Sequence, residues 1–530
     1  MGLWAKSIGI FNAIRDHGKQ SIRSLADRTG LSKSSVHRHL QAMAHRDRYP
    51  ESPLWDTEAG RTWLIRLVVA TLLVFGLKRG VGAETLSEFF GRLRLDAPVG
   101  CAPSALRHVM HMLERLLLET AAAWEQEGIA HGEIRPVIGA VEETFLQRMM
   151  LVFMDLATGS VLLEEVATDR SFGTWYDRAN DRLTTLGTKG LYVVSDRAKA
   201  LVKLAHTGLG CLSIPDLFHL SHDLAKSYSL AIFSRLRHAK RDLEHAQQRL
   251  ETLQQTAQAE RVHIEQGQAR VAACATALHH WQGVGRAWRQ QLSNLARILH
   301  PWRLVDATRQ TSKEVEEQLR AEIEAIETLL ETNGLPMKKD TLDKVRKQLA
   351  GISALVDLWW QTVHQDLAQM AMPPKWPQWA DALLLPLMYG QEQLRRTRCP
   401  GQKAQIALVL QAVAEAFARH ACTRQLKPEV LAGWKAWAAE HAKVFQRASS
   451  AVEGRNGYLS QMQHNHRGLP MRRYQVWTVL HTFDCRAADG TTPASRFFRR
   501  SFPDLFESVL SQIGELPMPR QRRQAIATSN

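Results

Sequence analysis

Residues 136–166, PVIGAVEETFLQRMMLVFMDLATGSVLLEEV, decide the fold class. Three apolar runs, 136–141, 148–154 and 160–166, are separated by polar stretches, and the second separator, Asp155-Leu-Ala-Thr-Gly159, has turn chemistry. The pattern predicts a three-stranded meander. Downstream, a helix is expected from about Ser171 to Leu186, a buried strand at 190–195 (GLYVVS) ending at Asp196, a helix over 197–206 and a short strand near 211–214. Strands that alternate with helices after a meander predict a mixed α/β sheet.

Upstream, residues 1–130 read as helices joined by short turns. In SIRSLADRTGLSKSSVHRHLQAM (21–43), Ile22, Leu25 and Ala26 make one apolar stripe, Gly30 permits a tight turn, and Leu31 plugs between helices. Ser32 then caps a second helix that turns Val36, Leu40 and Met43 inward. Its outward face carries Lys33, Ser34, His37, Arg38 and Gln41, side chains that bond phosphates and base edges in a major groove. Residues 1–50 hold nine Lys/Arg against three Asp, which strengthens a DNA-binding helix-turn-helix reading. A looser pattern of the same kind runs from Ala83 to Leu116, with Ser104 as the expected cap.

On the C-terminal side, Leu236, Leu243, Leu250, Ala257, Ile264, Val271 and Leu278 are seven apart. They predict one long coiled-coil-like helix, with a bend or a solvated stretch at Glu260 and Gly267, and with Val315 to Leu329 returning against it after a turn at His300-Pro301. Trp281, Trp288, Trp302, Trp359 and Trp360 read as core. The segment 300–304 (HPWRL) is set apart as an aromatic beside an Arg, able to brace a distorted nucleotide near a metal site.

Composition narrows the function classes. Across 530 residues, 68 Lys+Arg against 53 Asp+Glu give a net charge of +15, which points to a polyanionic partner. Six cysteines without a CxxC pair exclude a disulfide scaffold and the common zinc and redox motifs. The most apolar window, Trp63 to Leu77, contains Arg66 and is too short to span a bilayer, so no membrane partner and a cytoplasmic, nucleoid-associated location are expected.

Acidic residues stand where catalytic carboxylates are useful: Glu142 and Glu143 closing the first strand, Asp196 closing the buried strand, and Glu453 in SSAVEGRNGYLSQMQHNHRG (449–468). Two-metal phosphoryl chemistry needs such oxygens to converge on cations about 3.5–4 Å apart. With these blocks in this order, residues 139–175, 191–201 and 449–469 resemble the three acidic blocks of a DDE-type transposase of a bacterial insertion sequence.

The resemblance implies a ribonuclease-H-like core behind helix-turn-helix domains, with Glu142, Asp196 and Glu453 as catalytic ligands of two Mg²⁺, Mn²⁺ substituting. Glu143, Asp216, His219 and Asn456 would support them, Asp216-x-x-His219 being similar to an acid-x-x-His element of several transposase superfamilies. Arg197, Lys199, His464, His466 and Arg467 would neutralise phosphates. One departure stands out: the family's Asp-Glu-Thr reads Glu142-Glu143-Thr144 here, one methylene or about 1.5 Å longer.

The implied architecture is multidomain and mainly α, with one α/β domain. It comprises a helix-turn-helix (1–55), a second helical domain (56–132), the core's first part (133–228), an all-helical insertion with an antiparallel coiled coil (229–445), the core's last part (446–498) and a basic tail (499–530). The implied activity is strand cleavage at transposon ends and 3′-OH transfer into double-stranded target DNA by a homodimer or larger assembly. The alternatives are a non-catalytic DNA-binding regulator or an inactive transposase relic.

Overall fold

The computed structural model describes residues 3–46, 50–256, 260–464 and 470–517. Three helices open the chain, α1 (Leu3–His17), α2 (Ile22–Thr29) and α3 (Lys33–Arg46). Ser21 caps α2 by accepting from Ser24 N, Gly30 ends it at φ +67°, and Ser32 Oγ accepts from Ser35 N at 3.2 Å to start α3. Ile10, Leu25, Ala26, Val36 and Met43 close a small core of their own. This is the expected helix-turn-helix.

Next come α4 (Glu58–Thr71), which continues as a π-helical stretch to Lys78, then α5 (Ala83–Arg92) and α6 (Pro103–His131). The continuous segment Glu58–Lys78 is long and apolar enough to cross a membrane, unlike the shorter window read from sequence. Its Leu64, Val68, Val69, Leu72, Leu73 and Leu77 are buried in the protein core. The expected cap Ser104 lies one residue inside α6, whose N-cap is Ala102 with Pro103 in the first turn. Residues 56–132 share one continuous core with the sheet, so they form no separate domain.

The sheet follows: β1 (Val137–Leu146), β2 (Arg148–Asp155), β3 (Val161–Ala167), α7 (Phe172–Thr185), β4 (Gly190–Ser195), α8 (Lys199–Lys203) and β5 (Leu212–Pro215). Its order is β3-β2-β1-β4-β5, antiparallel within the meander and parallel from β1 through β4 to β5. Asp155 pins the β2–β3 turn by accepting from Thr158 N and from Ile138 N, each at 3.0 Å. β1 extends to Leu146, so Glu142 and Glu143 lie inside the strand and do not close it. Alternation then sends Val137, Val141, Phe153 and Val193 to one face, with Trp175 of α7, and Ile138, Ala140, Val152, Tyr192 and Val194 to the other.

The second face is covered by a helical unit: α9 (Leu217–Gln255), α10 (Arg261–Ile298), α11 (Ser312–Thr332), α12 (Lys339–Gln369), α13 (Lys375–Trp379), α14 (Leu385–Arg396), α15 (Pro400–Arg419), α16 (Ala421–Gln425) and α17 (Pro428–Val444). The expected single helix through the heptads is two helices. α9 pairs with α10 as an antiparallel hairpin, and α11 packs further along. The heptads hid the reversal because both arms keep the same spacing. Glu260 is the N-cap of α10, and Gly267 lets α10 approach Leu250, to which an added Cβ would come within 2.9 Å. Ala257 lies outside the described residues. α9 passes unbroken through the expected boundary at 228/229.

HPWRL is not beside the acids. Trp302 meets Trp359, Trp360 and Tyr389 at centroid distances of 5.1, 4.9 and 5.2 Å, and buried His300 bonds Tyr389. That aromatic cluster is the unit's core.

The chain returns to the sheet at 445–449 and runs into α18 (Ser450–His464), α19 (Met471–Val479), α20 (Pro493–Phe497) and α21 (Leu505–Leu510). Leu505, Val509, Ile513 and Leu516 are buried, so the expected tail is folded to residue 517, with 518–530 outside the described residues.

Candidate active site

Three elements converge at the end of the sheet. β1 presents Glu142 towards the helical unit, and Glu143 on the opposite face bonds Trp175 Nε1 at 3.1 Å. Asp216 follows β5 and caps α9, its Oδ1 accepting from Phe218 N at 2.7 Å, which sets His219 one turn further along. The returning strand of chain is held by Tyr192, whose hydroxyl donates to Val444 O at 2.6 Å and accepts from Gln446 N at 2.8 Å. Leu217 N donates to Arg447 O at 3.1 Å. These ties fix Ser449 and the first turn of α18, which carries Glu453 and Asn456.

His219 Nε2 lies 3.4 Å from Glu142 Oε1, 3.6 Å from Glu453 Oε1 and 3.7 Å from Asp216 Oδ2. Asn456 Nδ2 donates to Glu142 Oε2 at 3.2 Å, leaving its buried Oδ1 without a partner. Ser449 Oγ touches both Glu142 and Asp216. A hydroxyl has one proton to give, so the two contacts together require a proton on one of the carboxyls. Burial raises Asp216 above the usual carboxylate range, against the hydrogen bonds from Ser449 and Phe218 N that lower it. Desolvation, then the charge of Glu142, raises Glu453. The hydrogen bond to Glu142 pushes His219 up to about 9.

Glu142, His219 and Glu453 offer one donor atom each, all within 4.8 Å of one another, a group able to hold a divalent cation. Asp196 is not in it. Its carboxylate is exposed and accepts from Ala198 N at 2.9 Å, on a turn where Arg197 takes φ +70°. Its charge is felt instead by Glu143, which desolvation first, and Asp196 among lesser causes, raises. The expected trio therefore closes at two members, with His219 in the third place. Ser449 was missed by the sequence reading; a serine at a helix start has no signal apart from the cap it resembles.

The expected phosphate contacts divide. Lys33, Ser34, His37, Arg38 and Gln41 are exposed on α3, as a recognition face requires. Lys199 and His464 are exposed as well, whereas the Arg197 guanidinium is tied to Ser213 O at 3.1 Å. Lys199, Lys203 and His206 line an open groove of about 490 Å³ that also includes Arg197. His466 and Arg467 lie outside the described residues.

Comparison with known families bears on both ends of the chain. Residues 5–47 match the IclR helix-turn-helix domain. Residues 380–525 match DUF6399, a family of unknown function, and this stretch contains Ser449, Glu453 and Asn456 but neither Glu142 nor His219. Neither curated proteins nor solved structures yield a match. The N-terminal module is thus a helix-turn-helix of DNA-binding type, joined to a mostly helical body around a small mixed five-stranded sheet.

Proposed function

We propose that the chain is a DDE-type transposase, a metal-dependent polynucleotidyl transferase that nicks transposon ends and transfers the freed 3′-OH into target DNA. The observation that carries this reading is the meeting of Glu142, on the central strand of a sheet ordered β3-β2-β1-β4-β5, with Glu453, 311 residues later. The small mixed sheet supports the ribonuclease-H-like core that the resemblance implies. The helix-turn-helix would bring the chain to double-stranded DNA, in the cytoplasm and as a homodimer or larger assembly.

In this reading Glu142 and Glu453 hold the catalytic cation, whose bound form supplies Lewis-acid stabilisation of the scissile phosphate and a water of lowered pKa. Asn456 and Ser449 keep Glu142 oriented by bonding its two oxygens. The Lys199–His206 ledge neutralises phosphates of the strand entering the site. A second Mg²⁺, with Mn²⁺ as substitute, would require Asp196 to leave Ala198 N and turn towards Glu142.

An oligonucleotide carrying the element's terminal repeat, incubated with Mg²⁺ or Mn²⁺, tests the reading: site-specific nicking supports it. Glu142→Asp is expected to keep or raise strand transfer; loss of activity would remove Glu142 from the first acidic position. The position of Asp196 favours a second reading, a DNA-binding regulator or inactive relic, for which binding without cleavage in either metal is the expected result.

A further inference from the structure

We infer that the cation site is a mixed nitrogen–oxygen one, in which His219 Nε2 is a direct ligand beside Glu142 and Glu453, and that it prefers borderline divalent ions such as Co²⁺ or Zn²⁺ to Mg²⁺. The inference concerns the site described above and rests on the reading of that site as metal-dependent.

Charge is the first ground. Glu142, Asp216 and Glu453 meet within a largely enclosed cluster, and among the described residues no Lys or Arg forms an ion pair with any of them; His219 alone does. Even with a proton shared through Ser449, Glu142 and Glu453 crowd their carboxylates around one imidazole, an excess of negative charge that burial penalises and a divalent cation neutralises. Geometry is the second. Donors of a tetrahedral ion bonded at 2.0–2.1 Å stand about 3.3 Å apart, whereas neighbouring donors of octahedral Mg²⁺ stand about 2.9 Å apart. Nε2 faces Glu142 and Glu453 at 3.4 and 3.6 Å, so a cation that displaces the proton held there meets the wider spacing.

Ligand chemistry agrees, since imidazole suits Zn²⁺ and its neighbours while Mg²⁺ takes oxygen. Access is provided from one side: the His219 and Glu453 side chains are 31% and 36% exposed, against 8% for Glu142, so a fourth position faces solvent for water or a phosphate oxygen. Asp216 lies behind, fully enclosed, and through Ser449 fixes Glu142.

Titration of the full-length protein with Co²⁺ tests this directly. Tight binding with the visible bands of a tetrahedral ion is expected, together with ~10-fold or greater weakening in His219→Gln and little competition from Mg²⁺. Nitrogen hyperfine coupling on Mn²⁺ bound to the unaltered chain gives a readout that needs no variant. Octahedral bands unchanged in His219→Gln, absent nitrogen coupling, or no Co²⁺ binding would each overturn the inference. Terminal-repeat cleavage, run in parallel, separates the two ideas: Mg²⁺-dependent nicking indifferent to His219→Gln leaves the transposase and removes the ligand. Nitrogen-coupled metal without nicking does the reverse.

Discussion

Two residues apart on α18, Arg455 and Glu453 reach opposite solutions to the same problem, that of placing a charged group against the sheet. Arg455 meets Glu164 of β3 in a two-pronged pair at 2.6 and 2.8 Å, with side chains 3% and 0% exposed, and Thr478 Oγ1 adds a bond at 3.0 Å. Glu453 meets other carboxyls and the His219 imidazole at 3.6 Å. The chain builds a complete buried ion pair at Arg455, whereas two residues away Glu453 has only the His219 imidazole among the described residues to offset its carboxyl neighbours.

That contrast breaks most readily at the compensated end. Arg455→Met strands the Glu164 charge and is expected to cost about 4 kcal/mol of stability. Adding Glu164→Gln should restore part of it, as read from denaturant midpoints; a single-variant cost below about 1 kcal/mol would erase the contrast. At the other end, Glu142→Gln should leave the melting temperature unchanged or raise it, because its repulsion of Glu453 is gone. Cleavage should fall at least a hundredfold, about 3 kcal/mol in barrier. A variant that unfolds instead would make Glu142 another structural acid.

Lys33→Ala with Arg38→Ala should leave both ends of α18 untouched. DNA affinity should fall roughly tenfold, and the slope of log affinity against log salt by about 2, in a binding titration across salt. The smallest effect concerns pH. His219 is pushed up to about 9 in the folded chain, so its contribution is fully present below 6.5 and is lost as pH rises through 9. In metal-free buffer the unfolding free energy should therefore decline over that window by about 1 kcal/mol after solvent screening, read as a falling melting temperature. His219→Asn should flatten the decline, whereas an unchanged slope would mean that the imidazole neutralises nothing.

Legibility from the sequence followed the range of the interactions. The helix-turn-helix was readable because Ser21, Gly30, Ser32 and the Leu25/Val36 stripe act within twenty residues. The meander was readable because Asp155 and Gly159 make its turn locally. Glu142 and Glu453 stood out by residue type and company. Asp196 misled: strand alternation places it beside Glu142, but the left-handed turn at Arg197 and the bond to Ala198 N take its carboxylate elsewhere. The α9–α10 reversal was hidden by a repeat that both arms share. Ser449 and the Arg455–Glu164 pair depend on contacts across 233 and 291 residues, which no local pattern encodes.

The return of the chain at Ser449 also has a consequence in time. As the polypeptide emerges from the ribosome, Glu142, Asp216 and His219 exist long before their partners. The other half of the pocket is made only after the whole excursion from α9 to α17 has been synthesised and its aromatic core has set the position of residues 445–449. A chain cut short anywhere in that excursion keeps its helix-turn-helix and lacks Ser449, Glu453 and Asn456. The carboxyl cluster is thereby incomplete until residues 445–456 have been made and seated against the sheet.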